Sequence, residues 1–191
     1  MKLYGSGTSP FVRRIRLWLA DEPYEFQTLD VFSDAGQDLL KSLNPTRKIP
    51  MLVDGEQVVF DSRVIHRYLN NKLQREEPLD WNQENRLTLV DAANDSLVEL
   101  LLLERSGLHS DANVLFTRLQ KQRIHSSLQA LDIDVAKSEF KHWDFVSICL
   151  YCLLDWMVFR ELIPINEYPN LATFAEQSAT RPWVPETDPR I

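Results

Sequence analysis

Three short stretches of this 191-residue chain hold residue types that could do chemistry together. They are the hydroxyl-rich run Gly5-Ser6-Gly7-Thr8-Ser9, the dipeptide Ile49-Pro50, and Asp61-Ser62. Ser9 stands directly before Pro10, the pattern of an N-cap followed by a first helical residue whose missing N–H costs nothing there. Asp61-Ser62 offers two possible N-caps to a helix that follows a hairpin. A hairpin feeding straight into a helix N-terminus leaves unpaired backbone N–H groups beside a polar cap, which suits a bound carboxylate. An ordinary hairpin and an ordinary capped helix would use the same residues, so these stretches alone leave both readings open.

A fourth candidate, Cys149 and Cys152 in VSICLYCLLDWMVF, has the CxxC spacing of redox and metal sites. Reactive thiols need an exposed, electropositive setting, and this pair has none; two small hydrophobes on a buried helix fit better. No second Cys/His pair completes a zinc site, so no metal is expected.

The elements that must position these residues can be read in order. Lys2 to Tyr4 predicts a strand. The helix from Pro10 puts Phe11, Val12, Ile15, Leu17, Trp18 and Leu19 on its apolar side and Arg13, Arg14 and Arg16 on its polar one. Tyr24 to Val31 predicts a strand, and Asp34 to Leu43 a helix capped by Ser33 or Asp34 and stopped by Asn44-Pro45. Ile49 to Val53 and Val58 to Phe60 form a hairpin about Asp54-Gly55. The next helix is expected to bury Val64, Ile65, Tyr68 and Leu69.

After the charged linker from Gln74 to Asp80 the pattern becomes wholly helical. Trp81 to Ser106 is closed by Gly107, with Leu87, Val90, Asp91, Asn94, Leu97, Val98 and Leu101 at helical spacing. Asp111 to Leu131 is expected to turn Val114, Leu115, Leu119, Ile124 and Leu128 inward. Asp144 to Leu162 is the most apolar and the centre of a bundle. Glu167 to Ser178 is a short helix, and the tail TRPWVPETDPRI is irregular with Trp183 docked. The expected fold is a small α/β domain over residues 1–75, of order βαβαββα, a linker over 76–81, and an all-helical domain over 82–191.

Composition narrows the function classes. A net charge of −7 argues against nucleic-acid and anionic-membrane partners, both of which need a basic surface. The opening residues lack an apolar signal-peptide core, and the longest apolar run, Phe145 to Leu154, is too short to span a bilayer. A cytoplasmic location is expected.

Taken together, TSPFVRRIRLWL, NPTRKIPMLVDG and FDSRVIHRYL resemble the thioredoxin-like domain of a cytosolic glutathione S-transferase, and DFVSICLYCLLDWMVFR resembles that family's buried core helix. The opening MKLYGSGTSPFVRR and the proline-rich tail look most like a small bacterial, YibF-type branch. The resemblance covers essentially the whole chain. It implies a serine-type enzyme with glutathione as co-substrate. Ser9 would hydrogen-bond the glutathione sulfur, where its hydroxyl and nearby N–H groups favour thiolate over thiol. Thr8 and Ser6 stand close enough to be the thiol's partner in its place. Ile49-Pro50 matches the family's cis-proline, which would let Ile49 offer its backbone to the cysteinyl segment as if adding a strand. A trans proline opening a strand fits the residues alone equally well. Asp61 would answer the γ-glutamyl ammonium and Ser62 its carboxylate. Phe11, Arg13 and Lys48 are auxiliary candidates, Arg13 being as consistent with simple solvation.

Two departures stand out. Many members carry glutamate or glutamine where this chain has the shorter Asp61. The core helix, which usually begins with Ser/Thr and has Asp three residues on, here has Asp144 and Ser147 exchanged.

The family reading implies a homodimer acting on a small, apolar electrophile by conjugation or reduction. Its pocket would be lined by the first helix, the Trp81–Ser106 helix and the tail. A different class, a non-catalytic binding or regulatory module resembling the stringent starvation proteins, would share the fold. Ser9, Ile49-Pro50 and Asp61-Ser62 occurring together favour the enzyme, since a scaffold has no need of a thiol-facing hydroxyl. A CxxC oxidoreductase fails, because Ser9 stands where the redox cysteine would be.

Overall fold

A computed structural model of the chain describes residues 1–75, 78–109 and 113–191. Its contacts divide the chain into Met1–Pro78 together with Ser178–Ile191, and Leu79–Gln177. The closing segment therefore groups with the first 78 residues and not, as its place in the sequence suggests, with the helices that precede it. The physical reason lies in the arginines of the first helix, described below.

The first unit has the expected βαβαββα order. β1 (Lys2–Gly5), α1 (Pro10–Leu19), β2 (Glu25–Thr28), α2 (Asp34–Leu43), β3 (Met51–Asp54), β4 (Gln57–Phe60) and α3 (Ser62–Leu73) build a four-stranded sheet of order β2-β1-β3-β4. β1 and β2 run parallel, and the other pairs are antiparallel. This is the thioredoxin-like arrangement. Leu29, Leu40 and Met51 form a core with Tyr4, Leu39, Leu43 and Ile49 packed against it. α1 and α3 pack on each other, burying Val12, Ile15, Leu19, Ile65 and Leu69.

The hairpin ladder closes on the Asp54–Gln57 pair, so its loop is Gly55-Glu56, one residue later than the Asp54-Gly55 reading. Gly55 has φ +61, the left-handed conformation glycine adopts without steric cost. Asp54 instead binds α3: its carboxylate accepts from the Tyr68 hydroxyl at 2.7 Å and pairs with Lys72. Those two bonds, Lys72's first, hold the Asp54 carboxyl below the usual carboxylate range. Tyr68 is thus half-buried by a polar contact, and Val64 is exposed; α3 buries Ser62, Ile65, His66 and Leu69.

In the second unit α4 (Trp81–Arg105) starts with a reciprocal capping box between Asp80 and Gln83. Trp81 is its first residue, where the helical pattern starts it, and stands 85% exposed. Glu76 and Glu77 of the expected linker, and the expected start of the next helix at Asp111, lie outside the described residues. α5 is described as Leu115–Ala136 and packs along α4. Its inward stripe is Thr117, Gln120, Ile124, Ser127, Leu128 and Leu131. Val114, Leu115 and Leu119, expected inside, are 53%, 64% and 45% exposed. Burying Ile124, Leu128 and Leu131 fixes the rotation of the helix, and that rotation turns Leu115 and Leu119 outward.

α6 (Phe145–Phe159) is buried almost throughout, with Cys149 and Cys152 among its fully buried residues and neither in a disulfide. Asp144 caps it, accepting from the Ser147 N–H at 2.9 Å. The Ser147 hydroxyl turns to the His142 carbonyl at 2.6 Å, so the exchanged residues still tie the helix entry from both sides. α7 (Pro169–Ser178) begins on the Asp132 carboxylate, which accepts from the Asn170 and Leu171 N–H groups at 2.9 and 3.0 Å. Among the described residues, no helix is long and apolar enough to cross a membrane, and no group of three or more His, Cys, Asp or Glu side chains could hold a metal.

Two tests follow from the packing of α1. A Cβ added at Gly5 would lie 2.4 Å from a Val12 methyl, so Gly5→Ala must push α1 off β1. It should lower the unfolding free energy in urea by about 1–3 kcal/mol, and an unchanged midpoint would contradict the close approach. On the far side, buried His66 stands edge-on to Trp18 with ring centroids 4.9 Å apart. Burial, aided by the Arg67 charge, pushes its pKa down to about 4. Between pH 6.5 and 4 the unfolded chain therefore binds a proton that the folded chain refuses. Stability is full above that window and is lost as pH falls through it, by about 2 kcal/mol at pH 5. His66→Leu should flatten this part of the pH dependence of urea unfolding; the same slope in both proteins would exclude His66 as its source.

Candidate functional site

The first of the three stretches folds into a hydroxyl-lined turn ending at the α1 N-terminus. The Ser6 and Thr8 hydroxyls lie 3.1 Å apart, the Thr8 N–H donates to Ser6 Oγ at 3.3 Å, and the Ser9 N–H to the Ser6 carbonyl at 3.1 Å. Ser6 and Thr8 are thus partners of each other. Ser9 is the N-cap, its Oγ accepting from the Val12 N–H at 3.3 Å. A hydroxyl that accepts in a cap keeps its own proton to donate, so capping and a thiol-facing role do not compete. Pro10 has no N–H, Val12 is bonded to Ser9 Oγ, and Arg13 N–H is bonded to Ser9 O at 3.0 Å. Phe11 N–H is what the first turn has left to offer outward.

The Ile49–Pro50 bond is cis, as the motif implies. The β3 ladder begins at Met51, one residue after the proline, so Ile49 lies just ahead of the paired strand. Its side chain packs on the Leu29–Leu40–Met51 cluster. The loop that delivers it is organised by Asn44, a residue that sequence reasoning treated only as a helix stop. Fully buried Asn44 accepts from the Thr46 N–H and hydroxyl at 3.0 and 2.8 Å and donates to the Lys48 carbonyl at 2.8 Å. The Lys48 side chain is exposed.

At α3 the two candidate caps separate into different tasks. Asp61 is the N-cap, its Oδ1 accepting from the Arg63 and Val64 N–H groups at 2.9 and 3.3 Å. It holds φ +72, a left-handed value that costs a non-glycine residue about 1–3 kcal/mol and marks functional sites more often than elsewhere. Ser62 is the first helical residue, with its N–H outside the intrahelical ladder. It is buried, and its hydroxyl accepts from Arg14 at 3.4 Å.

Arg14 is the residue the sequence did not single out. The polar side of α1 is not solvated: Arg14 is fully buried, its guanidinium 4.8 Å from the half-buried Phe11 ring, and Arg13 is 3% exposed. Arg13 donates to the Val184 carbonyl at 3.0 Å and to Thr187 Oγ1 at 3.2 Å. Three arginines and no acid on a ten-residue helix were the available signal, since guanidiniums that leave water must find oxygen acceptors elsewhere in the fold. One arginine thus reaches the start of α3, and its neighbour reaches the tail.

Residues 1–71 match the family model of the glutathione S-transferase N-terminal domain. The chain is 25% identical to the uncharacterized GST-like protein YibF of Escherichia coli K12, over 99% of this chain and 98% of that protein. A glutathione transferase family member from Pseudomonas fluorescens Pf-5, solved with bound glutathione, superposes with a TM-score of 0.85 at 26% identity, covering 100% of this chain and 99% of that one. A glutathione S-transferase from Methylobacillus flagellatus KT, also with glutathione bound, shares the fold at a TM-score of 0.83 and 23% identity, covering 98% of each chain. The first 71 residues thus match a glutathione S-transferase N-terminal domain, and over its full length the chain is similar in sequence and fold to glutathione S-transferase family members.

Proposed function

We propose that the chain is a serine-type glutathione transferase, and the observation that carries the reading is the Arg14–Ser62 contact. It places a buried positive charge behind the hydroxyl at the α3 N-terminus, and that charge arises from the same helix that Ser9 caps. The γ-glutamyl carboxylate is held by Ser62 through its hydroxyl and N–H, with Arg14 and the helix dipole favouring the anion. Asp61, with one oxygen engaged in the cap, answers the ammonium with the other. Ile49 pairs its backbone with the cysteinyl segment, as an added strand would. Lys48, beside it on an exposed loop, is near enough in sequence to meet the glycyl carboxylate.

Chemistry then belongs to Ser9. Its hydroxyl and the Phe11 N–H donate toward the sulfur, Thr8 supports the turn, and the thiol proton leaves to solvent. The sulfur lone pair attacks an electrophilic carbon and a C–S bond forms. A leaving group departs with its bonding pair; where the substrate is instead a conjugated carbonyl, the resulting enolate takes a proton from water. The partner is a small apolar electrophile, and the working form is a homodimer, so light scattering should give twice the chain mass. Glutathione bound to a Pseudomonas fluorescens glutathione transferase family member supports the binding half of this reading, and relatives named as a glutathione S-transferase and a probable maleylacetoacetate isomerase support the enzymatic half. A panel containing a haloarene, an enone and a hydroperoxide separates conjugation from reduction, and glutathione binding with no turnover anywhere in it would contradict the enzymatic half.

Ser62→Ala removes a hydrogen bond to a charged group. It should raise KM for glutathione about ten- to a hundredfold while kcat at saturation stays within about twofold. Equal glutathione affinity in mutant and wild type would remove Ser62 from the site. Ser9→Ala should raise the pKa of the bound thiol by about one unit, followed by thiolate absorbance against pH. An unmoved titration would shift the role to Thr8, Ser6 or the backbone.

A further inference from the structure

An irregular segment stays mobile unless something ties it down, and the turn over residues 183–187 is tied to α1. Val184 and Thr187 are buried, and both hand an oxygen to buried Arg13. The Thr187 hydroxyl works in both directions: its proton is shared between the Trp183 carbonyl at 2.8 Å and the Val184 carbonyl at 3.3 Å, and its oxygen accepts from Arg13 Nε at 3.2 Å. Trp183 holds φ +67, a strained value for a bulky residue, which persists only where surrounding bonds over-determine the turn. The Val184 N–H to Arg181 carbonyl bond at 3.2 Å and the Thr187 N–H to Val184 carbonyl bond at 3.3 Å supply that determination. Arg16 adds a long contact of 3.5 Å to the Glu186 carbonyl. Burial works against the Asp188 carboxylate, but bonds from Arg190 and the nearby Arg13 charge hold it ionised below the usual range. The buried guanidinium therefore has two oxygen acceptors and a carboxylate in its field.

Arg13 is also the residue whose backbone N–H closes the first turn of α1 on the Ser9 carbonyl. Whatever fixes its side chain fixes the turn that carries the Ser9 hydroxyl and the Phe11 N–H. Its neighbour Arg14 braces the same turn against α3. At the other end Arg75 donates to the Trp18 carbonyl at 2.5 Å and pairs with Glu22 at 2.7 Å, so the helix is held at both ends.

We propose that Arg13, Val184 and Thr187 form a positioning clamp, through which the closing segment of the chain sets the thiol-facing geometry of Ser9 and Phe11. Hydrogen-bond donors aimed at a developing anion act only when they are held to within about half an ångström. The tail supplies that rigidity to the glutathione half of the protein, although nearly a hundred residues separate it in sequence from that half. The clamp rests on the reading that the α1 N-terminus activates the thiol.

The test is the thiolate titration of bound glutathione in wild type, Thr187→Val and Thr187→Ser, with circular dichroism to confirm the fold. Thr187→Val keeps the volume and removes the hydroxyl's bonds to Arg13, Trp183 and Val184. It should raise the bound-thiol pKa by roughly half a unit to one unit, the size of a helix-terminus effect. At pH 6.5 kcat should fall about three- to tenfold in proportion, while KM for glutathione stays within about twofold. Thr187→Ser should restore both. Arg13→Lys keeps the charge but cannot span two acceptors, so it must shift the titration the same way even if Thr187→Val does not fold. A folded Thr187→Val or Arg13→Lys with the wild-type titration overturns the clamp alone. A wild-type thiol no more acidic than free glutathione overturns both the clamp and the thiol-activation reading beneath it.

Discussion

A guanidinium taken out of water must be met by oxygen, and the thioredoxin-like half of this protein is built around meeting that demand twice on one helix. Arg13 and Arg14 follow each other on α1 and are both buried. Consecutive helical positions point about 100° apart, so the pair cannot share one acceptor. One reaches the serine that opens α3, and the other reaches the last turn of the chain. Leaving either unsatisfied would cost several kcal/mol. The helix is thereby fixed from two sides at the turn that Ser9 caps.

The same economy of partners organises the other two stretches. Asp61 spends one oxygen on the N–H groups of Arg63 and Val64, which leaves the Ser62 hydroxyl to Arg14 and to whatever anion approaches. Asn44 spends its amide on Thr46 and Lys48, which sets the loop before the cis bond. Asp54, a turn residue by its sequence, turns out to bind Tyr68 and Lys72 and so couples the hairpin to α3. Each polar side chain at the edges of the proposed site first holds backbone in place, and the groups offered to a ligand are what remains.

Much of this was legible in the residues. Ser9-Pro10, the hairpin before Asp61 and Ser33 before α2 are local signals, since each is decided within one turn of chain. The apolar runs of α4 and α6 gave their helices for the same reason. What was not legible depended on contacts distant in sequence. Arg13 and Arg14 look like a solvated face until the acceptors at Val184, Thr187 and Ser62 are known. Val114, Leu115 and Leu119 fit an inward stripe by spacing, but the rotation of α5 is set by Ile124, Leu128 and Leu131. Asp61 and Ser62 are equivalent as caps in sequence, and the fold divides their tasks: Asp61, at φ +72, turns its carboxylate to the Arg63 and Val64 N–H groups, and the Ser62 hydroxyl meets Arg14.

The central claim is that the start of α3, backed by Arg14, holds the γ-glutamyl end of glutathione beside the α1 terminus. Calorimetric titration of the wild-type protein with glutathione and with cysteinylglycine, which lacks that end, tests it directly. The account predicts saturable binding of glutathione at one site per chain and an affinity for cysteinylglycine at least about tenfold weaker, since a charged hydrogen-bonded group is lost. Equal affinities, or no heat with glutathione at all, would contradict it.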